Sequence, residues 1–245
     1  MRLRVVSYNI HGMPWVKSDI RILIRHLVRE TDADVICLQE VFNGNFLEPL
    51  RQIAKALGYV AYIPESVFTV ATPFGFANSS GLATLVKDRL TSRYHGLVPF
   101  EWKAGFEQLV KKGFQVTQII SPQGDFTVLN THLQSDMAEI PYIRIHYPVI
   151  RLAQENQIAY FLSKLRCGFL IGDLNQANFK WMRKFATTYH KTMCFKDEQI
   201  DHMVFIPQHA GCFRNGVVRY LEHFPYSDHM PVEFTFEAVL QPPSY

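Results

Sequence analysis

Several short polar motifs in this 245-residue chain stand where apolar runs stop. Ser227-Asp228-His229-Met230-Pro231 precedes the alternating apolar run Val232, Phe234, Phe236. Asp173 and Asn175 follow the continuous run Cys167 to Ile171. His132 follows Phe126 to Leu129, Glu40 follows Val35 to Leu38, Asn9 ends Leu3 to Tyr8, and Asp201 opens His202 to Ile206. Singly, each has a plain structural explanation: asparagine favours turns through local hydrogen bonding, and a lone histidine or carboxylate can simply cap an element. Together they offer four carboxylates, two imidazoles and two amides, all at strand ends. That set suits phosphodiester hydrolysis. The reaction needs a base for water, a cation against developing charge, and donors around the phosphoryl oxygens. Glu40 is the kind of hard oxygen ligand that Mg²⁺ takes. Asp173 and Asn175, two apart on an extended segment, are expected to point the same way. Asp228 and His229 are adjacent and need not touch, so Asp201 is expected to orient His229 from a neighbouring strand. Zinc chemistry, a P-loop, a dinucleotide-binding glycine motif and a serine nucleophile elbow all lack their spacings.

These groups need a scaffold of strands and helices. The strands expected are Leu3 to Tyr8, Val35 to Leu38, Leu82 to Val86, Gln115 to Ile120, Phe126 to Asn130, Gly168 to Ile171, His202 to Ile206 and Val232 to Phe236. They are short, and turn residues bound them. The run Cys167 to Ile171 reads as a strand buried on both faces. Helical stripes lie at Ile20, Leu23, Ile24, Leu27 and Val28, capped by Ser18, and at Leu47, Leu50, Ile53, Ala54 and Leu57, stopped by Gly58. A longer one runs from Ile150 to Leu165, and a short one carries Phe179, Met182 and Phe185. Such a mixture, with no linker and no repeat, is expected to form one domain over residues 1–245, with sheet layers covered by helices.

Composition sets limits on function. The apolar fraction of 48% and charged fraction of 19% allow a large core. The net charge of +3 does not by itself establish nucleic-acid binding. Cys37, Cys167, Cys194 and Cys212 show no C-x-x-C spacing, and Cys37 is expected to be a buried free thiol. The absence of a signal-peptide apolar region gives a cytoplasmic location as the expectation. The uncharged stretch Ser66 to Val86 contains Pro73, Gly75 and Gly81, so it reads as a loop followed by a strand, not a membrane span.

The ordered series Ser-Tyr-Asn, Leu-Gln-Glu, Thr-His-Leu, Gly-Asp-Leu-Asn, Ile-Asp-His and Ser-Asp-His-x-Pro resembles the endonuclease/exonuclease/phosphatase superfamily across nearly the whole chain. The resemblance implies an α/β fold, a four-layer α/β/β/α sandwich of the DNase I type, with the site at one edge of the paired sheets. It implies that Glu40 holds Mg²⁺ (Mn²⁺ being the alternative ion), with Asn9 beside it and Asp228 supporting the metal or His229. Asp173 and Asn175 would place water and phosphate, His132 would donate to a phosphoryl oxygen, and Asp201 would set His229. Which of Asp173 and His229 removes the proton stays open. Softer motifs resemble the neutral sphingomyelinase branch: His11-Gly12-Met13-Pro14, Ser80-Gly81-Leu82-Ala83, Lys112-Gly113, Thr131-His132-Leu133-Gln134 and Arg151-x-x-Gln154. A phospholipid phosphodiester is therefore the expected substrate, with peripheral membrane contact through Phe74, Phe76, Phe100 and Trp102. A DNA or RNA nuclease is the alternative, using Lys87, Arg89, Arg93, Lys103, Lys111 and Lys112 along a phosphate backbone. An inactive binding module of the same fold is the third reading. Oligomeric state is not readable.

Overall fold

The computed structural model describes residues 1–13, 19–64, 80–121, 124–135, 146–176, 178–184 and 200–239. Phe74, Phe76, Ser18, Phe185 and Cys194 lie outside them.

Two six-stranded mixed sheets face each other. The first has the order β11-β12-β1-β2-β4-β3 and the second β5-β6-β7-β8-β10-β9. In the first, β1 (Arg2–Gly12) runs parallel to β2 (Val35–Val41) and antiparallel to β12 (Val232–Ala238). Strands β3 (Tyr59–Tyr62), β4 (Ala83–Lys87) and β11 (Phe213–Tyr220) complete it. In the second, β7 (Phe126–His132) runs parallel to β8 (Gly168–Asp173), which pairs antiparallel with β10 (Asp201–Phe205). Strands β5 (Thr91–Pro99), β6 (Gly113–Ile120) and β9 (Arg183–Lys184) complete that sheet.

Helices α1 (Ile20–Thr31) and α2 (Gly44–Ala56) cover the first sheet, burying Leu23, Leu27, Leu50 and Ile53 against Tyr8, Ile10 and Leu38. Helix α3 (Tyr147–Ser163) covers the second with Ile158 and Leu162. Between the sheets lie Val5, Val35, Val128, Phe169, Met203, Phe234 and Phe236. The arrangement is the α/β/β/α sandwich. Asp19 caps α1 by accepting from Arg21 N, in place of the expected Ser18. The helix expected around Phe179 and Met182 is absent among the described residues; the short strand β9 stands there, paired to β10. Met182 is buried there and Phe179 packs against the same cluster.

Strand alternation grades the inter-sheet space from apolar to polar. On β7 the inward residues are Phe126, Val128, Asn130 and His132; on β8 they are Phe169, Ile171 and Asp173. On β1 and β2 the same alternation runs Val5, Ser7, Asn9 and Cys37, Gln39. Midway stands a buried polar belt. Gln39 Nε2 donates to Asn130 Oδ1 on the opposite sheet at 2.9 Å, and Asn130 Nδ2 donates to Ala83 O at 3.0 Å. Thr84 Oγ1 donates to Gln115 Oε1 at 2.9 Å, again between sheets. Below the belt the seam is hydrocarbon; above it lie the groups that could do chemistry.

Candidate active site

The parallel strands β1, β2, β7 and β8 deliver their C-terminal ends to one edge. The antiparallel β10 and β12 deliver their N-terminal ends there. Asn9, Glu40, His132, Asp173, Asp201 and His229 therefore converge from both sheets. Across β8 and its neighbours, Asp173 pairs in register with Asp201 on one side and His132 on the other. Gly172 makes this spacing possible: a Cβ there would lie 2.0 Å from Thr131 O, and its φ of +145° disfavours a side chain.

The Asn9 amide sits at the centre. Its Nδ2 lies 3.0 Å from Glu40 Oε1, 3.0 Å from Asp173 Oδ2 and 3.5 Å from His229 Nε2. Its Oδ1 accepts from His11 N at 3.0 Å, so Asn9 faces the cluster with a donor and not with an oxygen ligand. Glu40 reaches the cluster against simple alternation, which would turn it to the helix side with Ile36 and Leu38. A left-handed backbone, φ 57°, and the irregular β1–β2 register between Asn9 and Gly12 turn it inward. Its Oε2 is buried and has no protein partner among the described residues. That is an anionic oxygen aimed into a polar pocket, fit for a hard cation.

His229 Nδ1 lies 2.8 Å from Asp201 Oδ2, and its Nε2 lies 3.7 Å from Asp173 Oδ2. The orienting aspartate comes from the facing sheet and not, as expected, from a neighbouring strand. Asp173, Asp201 and His229 also form a compact group whose ligating atoms all lie within 4.8 Å of one another. The short Asp201–His229 hydrogen bond occupies one oxygen and one nitrogen of that group, so Glu40 offers the freer oxygen for an ion. His132 Nε2 is 3.5 Å from Asp173 Oδ2 and 3.9 Å from Glu40 Oε1. Asn175 does not continue the extended strand: its φ is 48°. Its backbone N donates to Asp173 Oδ1 at 2.9 Å and its Nδ2 to Leu133 O at 3.1 Å. Asp228 stays at the rim, with His11 Nδ1 at 3.3 Å and Ser227 Oγ at 3.1 Å.

Charge states follow from burial and neighbours. Burial would lower the His229 pKa, but the charge and hydrogen bond of Asp201, with Asp173 and Asp228, outweigh it and push it up to about 10. Burial, then the Asp201 charge, raise Asp173 to about 7 against the pull of His229 and Asn9. Burial, then Lys112 and His229, hold His132 well below its ordinary value, so its ring is neutral. A raised pKa contributes stability that is complete below the unfolded value and lost as pH rises through the folded one. Asp173 loses its share between 3.8 and about 7, and His229 between 6.5 and about 10. In chelator, denaturant unfolding should show stability falling as pH rises from 6.5 to 10, by a few kcal/mol in order of magnitude. His229→Gln should flatten that slope; an unchanged slope would show that His229 does not carry it.

Two buried groups near the site were read from sequence only as parts of motifs, without their roles. Lys112, expected as a surface cation, is buried, paired with Glu107 and donating to Leu133 O at 2.7 Å beside His132. Gln134, two residues past His132, accepts from Ala104 N at 3.0 Å and so fastens the Trp102 loop beside the site. Lysine type and loop position carry no sign of burial; only the Lys112-Gly113 and Thr131-His132-Leu133-Gln134 motifs marked the places. Phe100, expected at an interface, is buried and packs on Phe114 with ring centres 5.9 Å apart, because the end of β5 folds under α3. Trp102 is 63% exposed. Among the described residues no helix is long and apolar enough to cross a membrane.

Comparison with known proteins agrees with this architecture. The model of the Endonuclease/Exonuclease/phosphatase family matches residues 6–229. No curated protein matches the chain. Among solved structures, beta toxin from Staphylococcus aureus is similar with a TM-score of 0.75 at 18% identity, covering 95% of this chain and 99% of that one. Sphingomyelinase C from Streptomyces griseocarneus is similar with a TM-score of 0.69 at 18% identity, covering 96% and 99%. Truncated TDP2 from Caenorhabditis elegans is similar with a TM-score of 0.68 at 20% identity, covering 97% and 98%. At these identities the likeness is one of fold.

Proposed function

Because the chain belongs to the Endonuclease/Exonuclease/phosphatase family, we propose that it hydrolyses a phospholipid phosphodiester, sphingomyelin being the model substrate, at the polar edge between its sheets. It is an enzyme, a metal-dependent phosphoric ester hydrolase. The observation that carries the site assignment is the cluster of buried Asn9, Asp173, Asp201, His132 and His229 with half-buried Glu40, drawn from both sheets.

In this reading Glu40 holds Mg²⁺ through Oε2, while Asn9 fixes Oε1; Mn²⁺ is the alternative ion. A double-mutant beta toxin structure contains bound magnesium ions, which supports the choice. Bound there, the ion supplies positive charge against the phosphoryl oxygens. Asp201 accepts from His229 Nδ1 and so turns Nε2 toward Asp173 and Asn9. Asp173 and His229, 3.7 Å apart, divide the proton handling: one takes the proton of the attacking water, the other returns one to the leaving oxygen. Neutral His132 donates from Nε2 to a phosphoryl oxygen. Asn175 holds Asp173 through its backbone N–H and keeps one amide hydrogen for the phosphate. Asp228 supports the rim through His11, and one catalytic domain spans residues 1–245.

The lipid reading over a polynucleotide rests on where the cations go. Lys87 pairs with Asp32, Arg89 with Asp34 and Lys112 with Glu107, and Lys103 donates to Val110 O. These four are engaged within the fold, and the exposed Arg93 and Lys111 that are left do not make a row that tracks phosphates. The exposed Trp102, on a loop fastened next to His132, suits a membrane interface.

With Mg²⁺, phosphocholine release from sphingomyelin vesicles is expected. Trp102→Ala should reduce it about tenfold and leave a small soluble phosphodiester unaffected. Absence of release, with nicking of plasmid DNA that disappears in His229→Ala, would replace the lipid reading with a nuclease.

A further inference from the structure

At the end of the sandwich opposite the active site, Cys167 and Cys212 line one cleft of about 200 Å³. Cys167 leads into β8 of one sheet and Cys212 into β11 of the other. Each is fixed by its backbone: Thr127 N donates to Cys167 O at 3.0 Å and Val239 N to Cys212 O at 2.8 Å. His209, three residues before Cys212 in the 3₁₀ turn Pro207–Cys212, has its two ring nitrogens 3.0 Å from Gly168 O and Leu165 O. Those carbonyls flank Cys167, so the imidazole ties the two cysteine segments together. Cys167 and Cys212 pack in the same cluster of side chains between the sheets. Cys167 is buried and Cys212 is partly exposed, with Arg166 in the same cleft.

We propose that Cys167 and Cys212 form an oxidisable dithiol site whose reaction partner is a small disulfide of the glutathione type, and which closes to a disulfide joining the two sheets. The more exposed Cys212 reacts first. Its thiolate attacks one sulfur of the small disulfide, forms a mixed disulfide and expels one thiolate, which takes up a proton. Cys167 then loses its proton, attacks the Cys212 sulfur and expels the second small thiol. Two protein thiols become one disulfide, and the small disulfide is reduced to two thiols.

The environment divides the roles the same way. The neighbouring Cys167 thiol, then the Arg166 charge, lower the Cys212 pKa against burial, while the Cys212 thiol and burial raise Cys167. Cys37 is an internal control: it is fully buried and its thiol is pushed up to about 12 by burial. The cleft is remote from the cluster around Asn9, so activity on a soluble phosphodiester should be unchanged by the crosslink.

The test is oxidised glutathione on the reduced full-length protein, followed by intact mass and peptide mapping. The wild type should lose two hydrogens and give a peptide joining Cys167 to Cys212, with a melting temperature several degrees higher because a long loop is closed. Cys167→Ser should stop at a glutathione adduct on Cys212, and Cys212→Ser should give neither product. A wild type that stays reduced, a crosslink through Cys37 or Cys194, or rapid adduct formation on Cys167 in Cys212→Ser would each overturn the proposal. The wild-type map decides the question even if a variant fails to fold.

Discussion

Replacing His229 by alanine should lower kcat by about a thousandfold or more, and adding Asp201→Asn to that variant should lower it little further. Asp201 Oδ2 is 2.8 Å from His229 Nδ1, and the ring it fixes carries Nε2 to the other catalytic groups. Once the ring is gone, the carboxylate can no longer set the tautomer and direction of Nε2. Asp201→Asn alone should lose about a hundredfold or more, since an asparagine amide can present a donor to Nδ1 and favour the wrong tautomer. Steady-state rates for the two single variants and the double variant form the cycle. Losses that multiply would dissolve the pair into independent contributors. The expected folding cost is modest for Asp201→Asn, which keeps the side-chain shape, so thermal melts should separate lost chemistry from lost structure.

Glu40→Gln should remove metal-dependent turnover by about three orders of magnitude while the fold persists. The side chain keeps its shape and one oxygen, but loses the charge that would hold the ion. Two readouts follow. In the wild type, excess chelator should abolish turnover and Mg²⁺ should raise the melting temperature, because an ion that binds only the folded state stabilises it. In Glu40→Gln the Mg²⁺-dependent rise should disappear at the same concentrations. A variant that still melts higher with Mg²⁺ would move the ion to the group of Asp173, Asp201 and His229.

The contrast between Asp201 and Glu40 marks how far the sequence could be read. Asp173, His132 and Asp201 lie on regular strands, so alternation and an apolar-to-polar boundary were enough to bring them to one edge. Glu40 and Asn175 take left-handed backbones, with φ of 57° and 48°. Alternation alone points Glu40 to the helix face and makes Asn175 parallel to Asp173. Motif resemblance placed them at the site; asparagine tolerates a left-handed turn, but nothing in the glutamate's residue type announced one. Such strained conformations collect where tertiary contacts dictate them. Lys112 failed for a related reason: its partners, Glu107 and Leu133 O, become visible only when a loop folds onto β7. The α2 stripe ending at Gly58 was legible because periodicity and a left-handed glycine, φ 76°, are local signals. The edge strands β3, β5, β9 and β11 were not read, since β5 and β11 are half exposed and lack a clean apolar pattern.

The belt of Gln39, Asn130, Thr84 and Gln115 also bears on how the chain finds its register. Hydrocarbon neighbours tolerate a strand displaced by two residues, because another apolar side chain takes the vacated place. An amide in the same position does not. With the sheets out of step, Gln39 would face hydrocarbon, and the Asn130 Nδ2 bond to Ala83 O would be lost. Each orphaned group would cost about 1–3 kcal/mol. A misaligned sandwich is thus penalised at its waist before any reactive side chain has assembled. Converting Gln39 and Asn130 together to leucine should keep the two sheets adhering while loosening their alignment. The mark of that state would be catalytic groups that no longer meet in a molecule that still unfolds cooperatively.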